Sequence, residues 1–98
     1  MLAMYRLKFT NGALAEWKAL DGSVKEPLRK LLKKRLLNPH VPGAALQGPL
    51  RGYYKIKLRQ QGYRLVYTVQ EQVLVVLVVT INKRDHQRVY QHLLKLIS

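Results

Sequence analysis

Two short segments of this 98-residue chain carry residues able to grip and polarise phosphate: Tyr53-Tyr-Lys-Ile-Lys-Leu-Arg59 and Lys83-Arg84. Read as a strand, the first alternates. Tyr54, Ile56 and Leu58 share one face, while Tyr53, Lys55, Lys57 and Arg59 share the other. The apolar face is core, and the opposite face lines up three cations and a tyrosine. The next candidate strand adds Arg64 to that line in either of two registers. A turn at Gln61-Gly62 sets Arg59 opposite Arg64 and Lys57 opposite Val66, whereas a turn at Gln60-Gln61 sets Lys57 opposite Arg64. Both send Leu65 and Tyr67 inward. Like charges opposed across a sheet cost a few tenths to about 1 kcal/mol, and no acid nearby in sequence relieves them. A bound polyanion would do so; the plainer alternative is an ordinary solvated sheet face.

Lys83-Arg84 follows a long apolar run, where a strand leaves its sheet, so Arg84 is within reach of the same face. Tyr90 follows one or two helical turns later. Taken singly, Arg84 also fits a solvated loop, and Tyr90 a helix residue half-buried beside Leu94. His40, His86 and His92 share no motif; His86 is near enough to Arg84 to act as an acid or base, yet reads more simply as a surface histidine. There is no Gly-rich phosphate loop, His-x-Glu zinc pattern or spaced carboxylate pair. With no cysteine, thiolate metal sites and disulfides are excluded. No cofactor is expected.

Several elements must position these groups. Tyr5, Leu7 and Phe9 alternate with Arg6 and Lys8, the pattern of a half-buried first strand. Thr10 or Asn11 can cap a short helix carrying Leu14, Trp17 and Leu20 on one side. Asp21-Gly22 ends it. Ser23-Val-Lys-Glu26 has the capping-box pattern, with Pro27 in the first turns of a second helix reaching about Leu37. That helix turns Val24, Leu28, Leu31 and Leu32 inward and carries the cations Lys30, Lys33, Lys34 and Arg35. Asn38-Pro39 closes it, and residues 38–52 read as a loop packed by Val41 and Leu46. Strands follow at 53–60, 63–70 and 73–81, joined by short turns as an antiparallel meander. The last is apolar on both faces and therefore central or covered. Residues 85–97 read as a C-terminal helix with Val89, Leu93 and Leu96 inward. The order β-α-α-β-β-β-α predicts one α+β domain over residues 1–98, an antiparallel-rich sheet with helices packed against it.

Charge narrows the function. Eighteen Lys and Arg face five acids, a net charge of +13, and only Glu71 and Asp85 are acidic after Pro27. Such a chain attracts nucleic acid first, and an acidic protein or anionic membrane second. Membrane binding ranks last, because no helix pairs a cationic face with a broad aromatic one. Residues 1–10 do not read as a signal peptide, and the longest apolar run, 73–79, is too short to span a bilayer. A soluble, cytoplasmic protein is expected.

Four motifs in order, Leu46-Gln-Gly48, Tyr54-Lys-Ile-Lys-Leu-Arg59, Gly62-Tyr-Arg-Leu-Val-Tyr67 and Lys83-Arg84 through Val89-Tyr90, resemble the RelE toxins of bacterial toxin–antitoxin pairs. An early Leu14-x-Glu16-Trp17 helix extends the likeness over nearly the whole chain. The resemblance implies a compact α+β ribonuclease that cuts mRNA in the ribosomal A site and is inhibited by a cognate antitoxin. It implies a catalytic set at Lys55, Lys57, Arg64, Arg84 and Tyr90. Lys30, Lys33, Lys34, Arg35, Arg51, Arg59 and Lys83 are then candidate RNA or ribosome contacts. The chain departs from the family pattern at Pro27, at Asn82 where glycine is common, and at Asp85-His86.

Such a set suits attack of a 2′-OH on the adjacent phosphate, giving a 2′,3′-cyclic phosphate and a 5′-OH. Clustered cations lower the pKa of a neighbouring Tyr or Lys, so Tyr90 or a depressed Lys57 would take the 2′-OH proton. Lys55 and Arg64 would hold the phosphate, and Arg84 would serve the leaving group or the transition-state charge. Ribosomal positioning of the mRNA would supply much of the remaining barrier reduction. Two rivals remain. A ParE-like, gyrase-directed toxin shares the fold but generally lacks this cation and tyrosine set. A noncatalytic basic RNA-binding module fits the bulk charge equally well. A toxin's partner should present an acidic or amphipathic segment that folds on binding.

Overall fold

The computed structural model describes residues 4–83 and 93–95. The chain opens with β1 (Arg6–Phe9), α1 (Asn11–Lys18) and α2 (Gly22–Leu37). It continues through a loop into β2 (Tyr53–Leu58), β3 (Tyr63–Gln70) and β4 (Val75–Lys83). Residues 93–95 are helical, and the rest of the C-terminal helix expected at 85–97 lies outside the described residues. The sheet runs β1-β4-β3-β2, with β1 parallel to β4 and the other pairs antiparallel. The α+β order and the C-terminal meander therefore agree with the sequence pattern, and the largely apolar β4 is central.

Local chemistry explains the helix starts. Thr10, not Asn11, caps α1: its Oγ1 accepts from Ala13 N at 3.2 Å. The capping box at Ser23 and Glu26 does not form. Instead α2 begins at Gly22 with Asp21 as N-cap, the Ser23 hydroxyl donates to Asp21, and Glu26 pairs with Arg29. Pro27 consequently lies inside the helix and forgoes a backbone bond. The helix persists because Val24, Leu28 and Leu32 bury one face against the sheet.

The sheet has a core on each side. Toward the helices, Ile56, Leu58, Leu65, Tyr67, Val76, Val78 and Ile81 pack with Ala13 and the α2 stripe. On the opposite side Val66 and Val79 meet Leu46, Leu50 and Leu93, so loop and C-terminal residues cover part of that face. Between β3 and β4 the expected two-residue turn is a 3-10 turn at Glu71–Val73 closed by Leu74 in the left-handed region, φ 52°. It delays the strand start from residue 73 to Val75.

One irregularity decides the faces of β4. Val66 pairs with Thr80 and Tyr67 with Val78, which leaves Val79 as the extra residue of a bulge. The bulge inverts the alternation beyond it. Ile81 joins the helix-side core, while Thr80 and Asn82 join the face of Arg64.

Candidate catalytic face

The β2–β3 hairpin takes the second of the two possible registers. Leu58 pairs with Tyr63 and Lys57 with Arg64, around a turn of residues 59–62 in which Gly62 N donates to Leu58 O at 2.9 Å. Gly62 supplies the positive φ this turn requires, 73°. Arg64 in turn pairs with Asn82, so Lys57, Arg64 and Asn82 form one row across three strands. Lys55 lies one step back on the same face of β2.

Burial differs along this row. Arg64 is only 1% exposed, while Lys55 and Lys57 are half-buried and open to a ligand. Lys57 is held below lysine's ordinary value, first by Lys55, then by Arg64, with lost hydration and Arg59 adding. A neutral Lys57 amine is thus more accessible than in an isolated lysine. No acid of the meander offsets this. Glu71, beyond the far end of β3, is engaged by His40 Nε2 and by the Tyr5 hydroxyl, which donates at 2.9 Å. These bonds hold its carboxyl below the ordinary value and raise the Tyr5 phenol.

β2 is an edge strand, and two of its outward carbonyls, at Tyr53 and Lys55, are individually satisfied. Leu46 N donates to Tyr53 O at 2.9 Å, and Arg35 Nη1 donates to Lys55 O at 3.2 Å. The same Arg35 nitrogen donates to the Tyr67 hydroxyl at 3.0 Å, and the guanidinium lies over the Tyr67 ring. Tyr67 donates to Pro39 O at 2.7 Å and stacks on Tyr54, whose hydroxyl meets His40 Nδ1 at 3.0 Å. Burial raises the Tyr67 phenol against the opposing effect of Arg35. Arg35, expected as a ribosome contact, is thus a strut behind Lys55.

The remaining expected residues are dispersed. Lys30, Lys33 and Lys34 are exposed on α2, across the sheet from the Lys55 face. Arg51 and Arg59 are exposed at opposite ends of β2. Lys83 pairs with Tyr63 and so shares the helix-side register rather than that of Arg64. Arg84 and Tyr90, like His86 and His92, lie outside the described residues. Among the described residues, no group of three His, Cys, Asp or Glu is placed to hold a metal ion.

Sequence reasoning passed over Glu16. Its carboxylate reaches from α1 to β4, accepting from Ile81 N at 3.1 Å and from Asn82 Nδ2 at 3.0 Å. Two signals were available, its place in the Leu14-x-Glu16-Trp17 likeness and Thr80-x-Asn82, two polar residues near the end of an otherwise apolar strand.

A mixed four-strand sheet backed by two helices, with a cationic row across its meander, is an architecture this chain shares with small bacterial toxins. The chain belongs to the RelE/ParE toxin family. Residues 7–88 match the family described as the ParE toxin of the type II toxin–antitoxin system parDE. The chain is 42% identical over 93 residues to the mRNA interferase toxin RelE of Escherichia coli K12, covering 95% of this chain and 97% of that one. The crystal structure of the isolated E. coli RelE toxin superposes with a TM-score of 0.78 at 41% identity, over 96% of this chain and 99% of that one. RelE in the intact E. coli RelBE toxin–antitoxin complex gives 0.78 at 41% identity, over 84% of this chain and 99% of that one.

Proposed function

We propose that this protein is the toxin of a type II pair and an endoribonuclease that cuts mRNA in the ribosomal A site. The carrying observation is Lys57 in register with Arg64 and beside Lys55, its proton affinity lowered by those neighbours. Likeness to an mRNA interferase over nearly the full chain supports the same reading. We assign Lys57 as the base that takes the 2′-OH proton. The 2′ oxygen attacks phosphorus, the bond from phosphorus to O5′ breaks, and a 2′,3′-cyclic phosphate remains. Lys55 and Arg64 hold the phosphate, Arg84 stabilises the charge that develops, and Tyr90 returns a proton to O5′.

Lys, Arg and Tyr are weak acid–base equipment at neutral pH, so positioning of the mRNA by the ribosome carries much of the catalysis. Exposed Lys30, Lys33 and Lys34, with Arg51, Arg59 and Lys83, contact ribosomal RNA. The chain acts as a single domain in the cytoplasm of a bacterium or archaeon. Its antitoxin presents an acidic, amphipathic segment. A groove of about 280 Å³ suits one, with Leu7, Phe9, Trp17, Leu32 and Leu36 as lining and Arg29 and Lys33 as cationic partners.

Purified protein added to programmed ribosomes, with mRNA ends mapped, tests the reading. Cuts in the A-site codon are expected, fading in Lys57→Ala, Arg84→Ala and Tyr90→Phe. Protein that binds ribosomes without cutting would instead be a noncatalytic RNA-binding module. The ParE description of the matching family favours one second reading, a gyrase-directed toxin. Inhibition of purified gyrase with no mRNA cleavage would establish that alternative.

A further inference from the structure

We propose that Glu16 is a positioning residue for cleavage, setting Asn82 and the end of β4 against the Lys57–Arg64 row. The inference rests on the ribonuclease reading. β1 pairs with β4 only from Val75 to Val78, so the last residues of β4 have no strand on that side. The bulge at Val79 reverses the alternation there, and the Ile81 N–H meets α1 instead of a strand. Glu16 takes the place of the missing strand. One carboxylate oxygen accepts from Ile81 N at 3.1 Å and the other from Asn82 Nδ2 at 3.0 Å. Asn82 Nδ2 also donates to Thr80 Oγ1 at 2.9 Å, and Thr80 Oγ1 lies 3.5 Å from Glu16.

Neither described ion pair involves Glu16, although the chain carries eighteen Lys and Arg against five acids. This acid is spent on backbone and amide donors. Asn82 is thereby held from two sides while it faces Arg64 in register. It also precedes Lys83, the last residue of β4, and the assigned Arg84 follows directly in sequence. Glu16 makes no claim on the RNA. It acts through Asn82, by fixing where the third strand of the row ends.

The test is single-turnover cleavage of ribosome-bound mRNA by the full chain, at saturating ribosomes and across a ribosome titration. Glu16→Gln keeps the shape of the side chain but opposes an amide to a donor. It should lower the maximal rate about tenfold or more, because small misplacements near reacting groups are costly. Half-saturation should stay within about twofold of wild type, since binding surfaces are untouched. In an Asn82→Ala background the same change should cost no more than about twofold, the signature of two residues acting as one unit. Val24→Ala, a core truncation on α2 outside the Glu16–Asn82 bonds, controls for lost stability. Glu16→Gln at a wild-type rate, an equal loss in a Val24→Ala protein of matched stability, or full additivity with Asn82→Ala would each overturn this role alone. An uncut mRNA with wild-type protein would overturn the ribonuclease reading and this role with it.

Discussion

Arg35 is a cation on the outside of a basic helix by sequence and a strut of β2 by structure, and the two roles predict different losses. Arg35→Leu keeps the aliphatic stem and removes the guanidinium. It deletes the bonds to Lys55 O at 3.2 Å and Tyr67 Oη at 3.0 Å, and the guanidinium's contact with the Tyr67 ring at 5.8 Å. A hydrogen bond from a charged donor contributes about 1.5–3 kcal/mol, but Lys55 O sits at a sheet edge where water can replace it. The ring contact adds about 0.5–1 kcal/mol. Tyr67 keeps its bond to Pro39 O, so no buried group is stranded. The expected loss is about 2 kcal/mol, or roughly 8–16 °C in Tm for a domain of this size. Tyr67→Phe keeps both ring contacts but loses the bond to Pro39 O, at about 0.5–1.5 kcal/mol, because that carbonyl still accepts from Val41 N at 3.1 Å. Because the two variants share one bond, the double variant should lose about 1 kcal/mol less than the sum. Urea and thermal unfolding read the stability, and ribosome cosedimentation reads the binding. Arg35→Leu with stability within ~0.5 kcal/mol of wild type, the range of an ordinary surface change, and much weaker ribosome binding would refute the strut.

Lys57 has a folded pKa below its ordinary 10.5. The folded state therefore binds fewer protons, and stability rises with pH across the window from that lowered value up to 10.5. As the base, Lys57 gives a cleavage rate that climbs with pH to a midpoint below 10.5; Lys55→Met removes the largest depressing charge and should move that midpoint upward in a pH–rate series. Glu71 shows the opposite case, its pKa lying below the ordinary 4.5. Its contribution is complete above 4.5 and disappears as pH falls through the lowered value, so acid titrations of Glu71→Gln should lack that part of the wild-type decline. Charge reversal of Lys30, Lys33 and Lys34 should weaken ribosome binding and flatten its dependence on salt while leaving Tm nearly unchanged; an unaltered salt slope would remove α2 from the interface.

Where side-chain pattern alone decides, the sequence was legible. Alternation placed Lys55, Lys57 and Arg64 on one face and Leu65 and Tyr67 in the core, because a pleated strand leaves no other choice. The apolar run at the start of β4 announced a central strand for the same reason. The hairpin register remained one of two, since it depends on which residue of a glutamine-rich turn meets the positive φ, and Gly62 settles it. The capping box at Ser23 failed because Asp21, two residues earlier, competes for the same helix start. The bulge at Val79 was invisible. Valine fits either face of a two-sided sheet, so nothing in Val75-Val-Leu-Val-Val79 shows where the alternation reverses. The faces of Asn82 and Lys83 turn on that one residue, and with them the part played by Glu16.

The two edges of the meander explain how a row of like charges is held still. β4 presents an outward N–H at Ile81, and an anionic side chain from α1 accepts it. β2 presents an outward carbonyl at Lys55, and a cationic side chain from α2 donates to it. Each edge is thus closed by the charge that its exposed backbone group requires, in the manner sheets use against unwanted strand pairing. Repulsion among Lys55, Lys57, Arg59 and Arg64 would otherwise favour fraying of β2, which lies at an edge of the sheet. Reaching in from helices behind the sheet, Glu16 and Arg35 stiffen the cationic face without occupying it. Lys55 and Lys57 stay partly exposed on that face, and repulsion from Lys55 and Arg64 lowers the proton affinity of Lys57.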